Sequence, residues 1–174
     1  MRTAIVYQRI LIQQDVLEFI RKEVRKSPRT ETGGALAGFL SHDNSVIITH
    51  ACGPGPRAEL KRYSVLIDGK HADAFCTRLY KSSGGQLDYV GDWHRHPGWS
   101  LRTSFQDLDA MRIIRDANCC SIPLPITAIY RSTPEKLLTY VLRDDKLRRV
   151  KMKWIDAAIA AEYQKHGNKR RERC

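Results

Sequence analysis

The sequence predicts an α/β fold, a mixed sheet sandwiched by helices. Two observations point there. One segment repeats apolar residues at helical spacing, while others are short β-branched or small-residue runs separated by turn chemistry. The two kinds of segment alternate along the chain, so helices must cover a sheet rather than form a separate layer. With 174 residues, 42% hydrophobic and 28% charged, the chain suits one compact domain with a sizeable core.

Taken in order, residues 4–8 read as a short opening strand. Over residues 13–26, Val16, Leu17, Ile20 and Val24 fall on one helical face and charges fill the other. Ser27-Pro28 ends that helix. Residues 33–40 and 46–50 form a hairpin around His42-Asp43-Asn44, and 52–56 form a loop. A second helix covers 69–80 and closes at Ser82-Ser83-Gly84-Gly85; a buried strand follows at 87–94. Residues 104–117 are helical, with Leu108, Met111 and Ile114 inward. Strands at 125–130, 137–142 and 147–154 come next, then a helix over 155–163 that frays into Gly167-Asn168-Lys169-Arg170-Arg171. No internal repeat and no long linker interrupts the chain. Residues 1–163 are therefore expected to form the domain and 164–174 a flexible basic tail.

Composition excludes several classes. No apolar run is long enough to cross a bilayer, and the N-terminus lacks the apolar stretch of a secretory signal. Cys52, Cys76, Cys119, Cys120 and Cys174 are odd in number and contain no CxxC pair, which suits a reducing compartment; a cytoplasmic protein is expected. The net charge of +11 sits in local clusters: Arg21 to Arg29, Arg143 to Lys153 and Lys165 to Arg173. Little aromatic interleaving accompanies them, so nucleic acid is not the expected main partner, and an acidic protein suits the charge equally well.

Chemistry concentrates in Asp92-Trp93-His94-Arg95-His96-Pro97 and Ser104-Phe105-Gln106-Asp107. Strand alternation puts His94 and His96 on one face, where two imidazoles can share a metal. Asp107, in the first turn of the next helix, can return as a third ligand. Two nitrogens and a carboxylate suit zinc and leave a position for water. Each piece has a plainer explanation alone: His-x-His as ordinary polar residues, and Ser104-x-x-Asp107 as a capping box. Their combination at this separation favours a metal.

His94-x-His96-Pro97, seven residues, then Ser104-x-x-Asp107 resembles the signature of the JAMM (MPN-plus) zinc metallopeptidases. The upstream Glu31-Thr32-Gly33-Gly34-Ala35-Leu36-Ala37-Gly38 resembles that family's Glu-x-x-Gly-x-Leu-x-Gly stretch. The resemblance runs from about Ile10 to Trp154 and implies a cytidine-deaminase-like JAMM/MPN domain. It implies that His94, His96 and Asp107 bind one Zn2+ with a water, that Glu31 is the general base, and that Ser104 donates to the oxyanion. Two positions depart from the family pattern, Arg95 between the histidines and Thr103 before the serine. Neither is a ligand, and Arg95 is expected to face away from the metal, toward a substrate or a loop. No His-x-Glu with Pro-Cys-x-x-Cys is present, which disfavours base deamination. No Lys-Ser/Thr follows the glycines, so they are not a phosphate loop; close backbone approach beside a substrate strand is their expected role.

Among the remaining candidates, Trp99 suits loop packing or a substrate groove and Trp93 suits the core. His42, His50, His71 and His166 have no ligand spacing. The resemblance implies removal of a ubiquitin-like protein, or of a protein conjugated through its C-terminus, from a target. The Asp-Trp-His-x-His-Pro context is similar to the small peptidases of bacterial conjugation operons, including anti-phage CBASS systems. Three alternatives stay open: trimming of a sulfur-carrier precursor, a non-haem iron oxygenase, and a non-catalytic basic binding module.

Overall fold

The computed structural model describes residues 9–98, 101–118, 124–129 and 136–165. The expected strand at 4–8, Trp99, His166, three of the cysteines and the tail from 166 lie outside them. The first described strand, β1 (Arg9–Gln13), runs directly into helix α1 (Gln14–Lys26). Val16, Leu17, Ile20 and Val24 are buried along α1, the face its periodicity marks out. Strands β2 (Thr32–Leu40) and β3 (Ser45–Ala51) form the expected antiparallel hairpin. Asn44 takes the positive φ of 59° that its turn demands, a conformation asparagine tolerates well.

A small hairpin that the pattern does not announce, β4 (Glu59–Lys61) with β5 (Ser64–Leu66), precedes helix α2 (Gly69–Ser82). The Asp68 carboxylate caps α2 by accepting from the His71 N–H and is held by a two-pronged contact from Arg57 at 3.1 and 2.8 Å. Strand β6 (Asp88–Pro97) and helix α3 (Phe105–Asn118) follow. Strands β7 (Leu124–Ile129) and β8 (Lys136–Arg143) come next.

The expected single strand over 147–154 is in fact two, β9 (Lys146–Val150) and β10 (Met152–Ile155), before helix α4 (Ala157–Lys165). The mixed sheet runs β10-β1-β3-β2-β6-β7-β8-β9, so β9 and β10 occupy its opposite ends. Only Lys151 separates them. Two consecutive Cα links span at most about 7 Å, so the sheet must curl until its ends meet. The register carries this out: Val150 lies opposite Thr139 of β8, and Met152 opposite Ile10 of β1.

Side-chain alternation sorts the core onto the two faces of this curled sheet. Ile10, Ile12, Leu36, Leu40, Val46, Ile48, Val90, Trp93 and Val141 pack inward with the apolar stripe of α1. On the outer face, Leu11, Phe39 and Ile47 meet Ala160 of α4, while Leu142 meets Met111 of α3. Leu108 and Ile114 pack around that second contact, as their spacing predicts. Helices thus lie on both faces of a mixed sheet. No helix among the described residues is long and apolar enough to cross a membrane.

Candidate metal centre

Strand β6 is central, paired antiparallel to β2 and parallel to β7. Alternation along it turns Trp93 and Arg95 to one face and His94 and His96 to the other. Trp93 is 1% exposed, packs in the inner core and donates its indole N–H to the Cys52 carbonyl at 2.9 Å. The two imidazoles meet on the outer face with Nε2 atoms 2.7 Å apart. Asp107 reaches back from the first turn of α3, its Oδ1 3.1 Å from His94 Nε2 and its Oδ2 3.5 Å from His96 Nε2. All three residues are at most 9% exposed. Among the described residues this is the one His, Cys, Asp or Glu group of three whose donor atoms lie within 4.8 Å of one another.

At 2.7 Å the two Nε2 atoms cannot both carry a proton. A shared proton or a cation must hold them together. Two imidazole nitrogens and one carboxylate oxygen, converging and largely removed from solvent, fit a zinc-type ion with room for a further ligand.

The capping box does not stop Asp107 from facing the histidines. Ser104 Oγ accepts from the Asp107 N–H at 3.1 Å, and the Ser104 N–H donates to Asp107 Oδ2 at 2.5 Å. That reciprocal pair starts α3 and aims the carboxylate at the histidines. Burial alone would raise the Asp107 pKa; hydrogen bonds from His94 and His96 override it and hold the carboxyl far below its usual range. Ser104 uses its oxygen as an acceptor, which leaves its hydroxyl proton free to donate outward. The Tyr140 hydroxyl donates to the Leu101 carbonyl at 2.9 Å, fixing the approach to this turn.

Glu31 immediately precedes β2 and is half-buried beside the same group. Burial raises its pKa, while His96 and His94 pull it down and Asp107 pushes it up. Its carboxyl is therefore within electrostatic reach of all three side chains. Its own N–H donates to the Lys61 carbonyl of β4 at 2.7 Å, so the small hairpin holds the Glu31 backbone.

The glycines of β2 make close approaches, but to the protein itself. A Cβ at Gly34 would stand 2.0 Å from the Cys52 carbonyl oxygen, and one at Gly38 1.8 Å from that of Ile47. Over Leu36–Leu40 β2 is paired by β3 as well as flanked by β6, so the close approach at Gly38 is to the sheet itself. Gly33 is opposite His94 in register, and a Cβ there would meet the Trp93 carbonyl oxygen at 2.6 Å and His94 Cβ at 3.1 Å. His50 contacts only its neighbour Thr49 in the described bonding, and neither it, His42 nor His71 joins the metal group.

Sequence reasoning missed one feature near the centre and left a second open. Asp92, on the same face of β6, is half-buried, and desolvation pushes its carboxyl up to about 6. It borders a cavity of about 710 Å³ between α2 and β6, lined also by Ala72, Asp73, Cys76, Tyr80 and Asp88. The aspartate stands directly beside the histidine motif, but burial cannot be read from neighbours in sequence. The second is Arg95, whose guanidinium donates to the carbonyls of Ser27 at 2.8 Å, Pro28 at 2.9 Å and Thr30 at 2.7 Å. It turns to a loop, as one of the two expected outcomes had it.

No family model matches the chain. A search of characterised proteins finds similarity to "Probable metalloprotease y4qB" of Sinorhizobium fredii (strain NBRC 101917 / NGR234), 30% identical over 132 residues that cover 75% of this chain and 80% of that protein. The chain belongs to this metalloprotease family. The search also finds two proteins named "CD-NTase/cGAS isopeptidase". The one from Escherichia coli (strain TW11681) is 33% identical over 45% of this chain and 50% of its own length. The one from Enterobacter hormaechei subsp. hoffmannii (strain UCI 50) is 30% identical over 60% and 57%. The solution structure of protein DSY2949 from Desulfitobacterium hafniense shares the fold, with a TM-score of 0.67 and 15% identity over 84% of this chain and 93% of that one. A metalloprotease needs a metal site, and the His94–His96–Asp107 group is where the described residues can provide it.

Proposed function

We propose that the chain is a zinc-dependent isopeptidase of the JAMM type, which releases a protein joined through its C-terminus to a target. The observation that carries this reading is the convergence of His94, His96 and Asp107 with Glu31 in electrostatic reach. The names of two relatives, both isopeptidases, support the bond class, and a bacterial CD-NTase-type conjugate is the substrate they suggest.

Zinc held by these three residues would polarise the scissile carbonyl and make hydroxide available at neutral pH. Glu31 takes the proton released by the attacking water on its carboxylate. It then passes that proton to the departing amine as the carbon–nitrogen bond breaks. Burial, which raises the Glu31 pKa, makes the carboxylate a better proton acceptor than an exposed glutamate. Ser104 donates its hydroxyl proton toward the oxygen that gains charge as the carbonyl becomes tetrahedral. Asp107, pinned by the Ser104 N–H, keeps its orientation through the reaction.

Metal analysis of protein purified without added metal should find about one zinc per chain. Stoichiometric iron would instead favour an oxygenase. A CD-NTase joined by its C-terminus to a carrier lysine is the test conjugate, with a linear fusion of the same segment as comparison. Glu31→Ala should lower cleavage by at least about 100-fold with zinc retained, and His94→Ala should lose the metal. Full activity in Glu31→Ala rejects the proton-transfer role. Cleavage of the linear fusion alone points to precursor trimming.

A further inference from the structure

Arg95 stands between the two histidines in sequence yet on the opposite face of β6, so it cannot touch what they bind. It is 3% exposed, and among the described residues no carboxylate forms an ion pair with it. A buried guanidinium without a paired acid must be held by other acceptors. Here these are three backbone carbonyls, those of Ser27, Pro28 and Thr30, at 2.7 to 2.9 Å. They belong to the segment that leaves α1 and reaches Glu31, which has no helix or strand pairing of its own. Charge-assisted bonds from one planar fork to three carbonyls therefore fix the segment between the Ser27 N–H, which donates to the Val24 carbonyl, and the Glu31 N–H, which donates to that of Lys61. The next residue but one after Thr30, Thr32, lies opposite Arg95 across the β2–β6 ladder. Glu31 is thus gripped on both sides: the clamp and the ladder flank it, and the Lys61 carbonyl holds its N–H. The charge of Arg95 also acts directly on Glu31, favouring its ionised form.

We propose that Arg95 is a positioning residue: by clamping the carbonyls of Ser27, Pro28 and Thr30 it sets where the Glu31 carboxylate sits relative to His94, His96 and Asp107. The same strand thus aims two imidazoles on one face and the proton-transfer group from the other. The proposal rests on the role assigned to Glu31 above.

The test compares Arg95→Met, which keeps length but removes the donors, with Arg95→Lys, which keeps the charge but cannot serve three carbonyls. The protein is loaded with zinc, and cleavage of the CD-NTase–carrier conjugate is measured beside zinc affinity and amide exchange. Arg95→Met should lower kcat about 10- to 100-fold, as misplacement of a reacting group does. KM should change less than about two-fold and zinc affinity stay at the wild-type value, because neither depends on Glu31 placement. The Glu31 amide should exchange faster while amides of β3 and β8 do not change. Arg95→Lys should fall between. In the Glu31→Ala background, Arg95→Met should cost no further activity, since nothing remains to be positioned. Wild-type kcat in Arg95→Met overturns the proposal, as does an equal loss in the presence and absence of Glu31. If Arg95→Met does not fold, wild-type kcat in Arg95→Lys overturns it as well. Full activity in Glu31→Ala instead removes the proton-transfer reading on which the proposal stands.

Discussion

At the residue scale, the centre depends on how closely β2 lies against β6. Gly33 faces His94, and its missing side chain leaves the space that the Trp93 carbonyl and His94 Cβ occupy. Gly33→Ala would place a methyl 2.6 Å from that carbonyl oxygen, a contact with backbone that no rotamer can relieve. The strand carrying His94 must move. Zinc affinity should therefore fall at least about ten-fold while far-ultraviolet circular dichroism stays near wild type; an unchanged zinc titration would show that β6 can accommodate the shift. The convergence of His94, His96 and Asp107 was legible in the sequence because strand alternation and a helix first turn are local rules, readable from His94, His96, Ser104 and Asp107 alone. Arg95 was only half legible. Alternation says which way it points, but its three acceptors lie 65 to 68 positions earlier, and no local pattern reports a contact of that range.

At the element scale, α3 carries Asp107 and must hold its distance from β6. Two sets of contacts join it to β8 and β9. One is ionic: Asp145, in the β8–β9 turn with a positive φ of 57°, meets Arg112 at 3.1 and 2.6 Å and Arg115 at 3.1 Å. The other is apolar, Met111 against Leu142 with Leu108, Ile114 and Leu147 around them. Asp145 is 56% exposed in the ion pairs, so water and salt screen them heavily. Met111 is 1% exposed. The apolar contact should dominate. Met111→Ala should cost about 2–5 kcal/mol by denaturant unfolding, whereas Asp145→Ala should move the melting temperature by no more than about 1–2 °C. The reverse ranking would mean that the surface ions hold α3. Helices were the most legible elements, since α1 and α3 each bury the residues their spacing selects. The β4–β5 hairpin was not legible: its two strands are three residues each and mostly exposed, too short for one less exposed residue apiece to stand out as a pattern.

At the scale of the whole molecule, the sheet closes through Lys151. The run from Leu147 to Trp154 reads as one strand because it contains no turn residue. Its halves nonetheless pair with strands at opposite ends of the sheet, and only the three-dimensional pairing tells them apart. Two glycines inserted after Lys151 should loosen that junction and lower the melting temperature by several degrees, on the order of 5 °C. The same insertion between Arg62 and Tyr63, in the exposed β4–β5 turn, should be tolerated at equal length. Equal effects at both sites would mean that the closure contributes no stability.

That closure also bears on how the chain reaches its native state. Ile10 must wait for Met152, so the pairing that completes the inner core joins segments from nearly opposite ends of the described chain. Such distant contacts recruit late, because the entropy of bringing far-separated segments together is lost before the contact forms. During synthesis on the ribosome, β1 and β3 would leave one apolar edge uncovered until β10 emerges. A slow refolding phase is the expected signature of this topology.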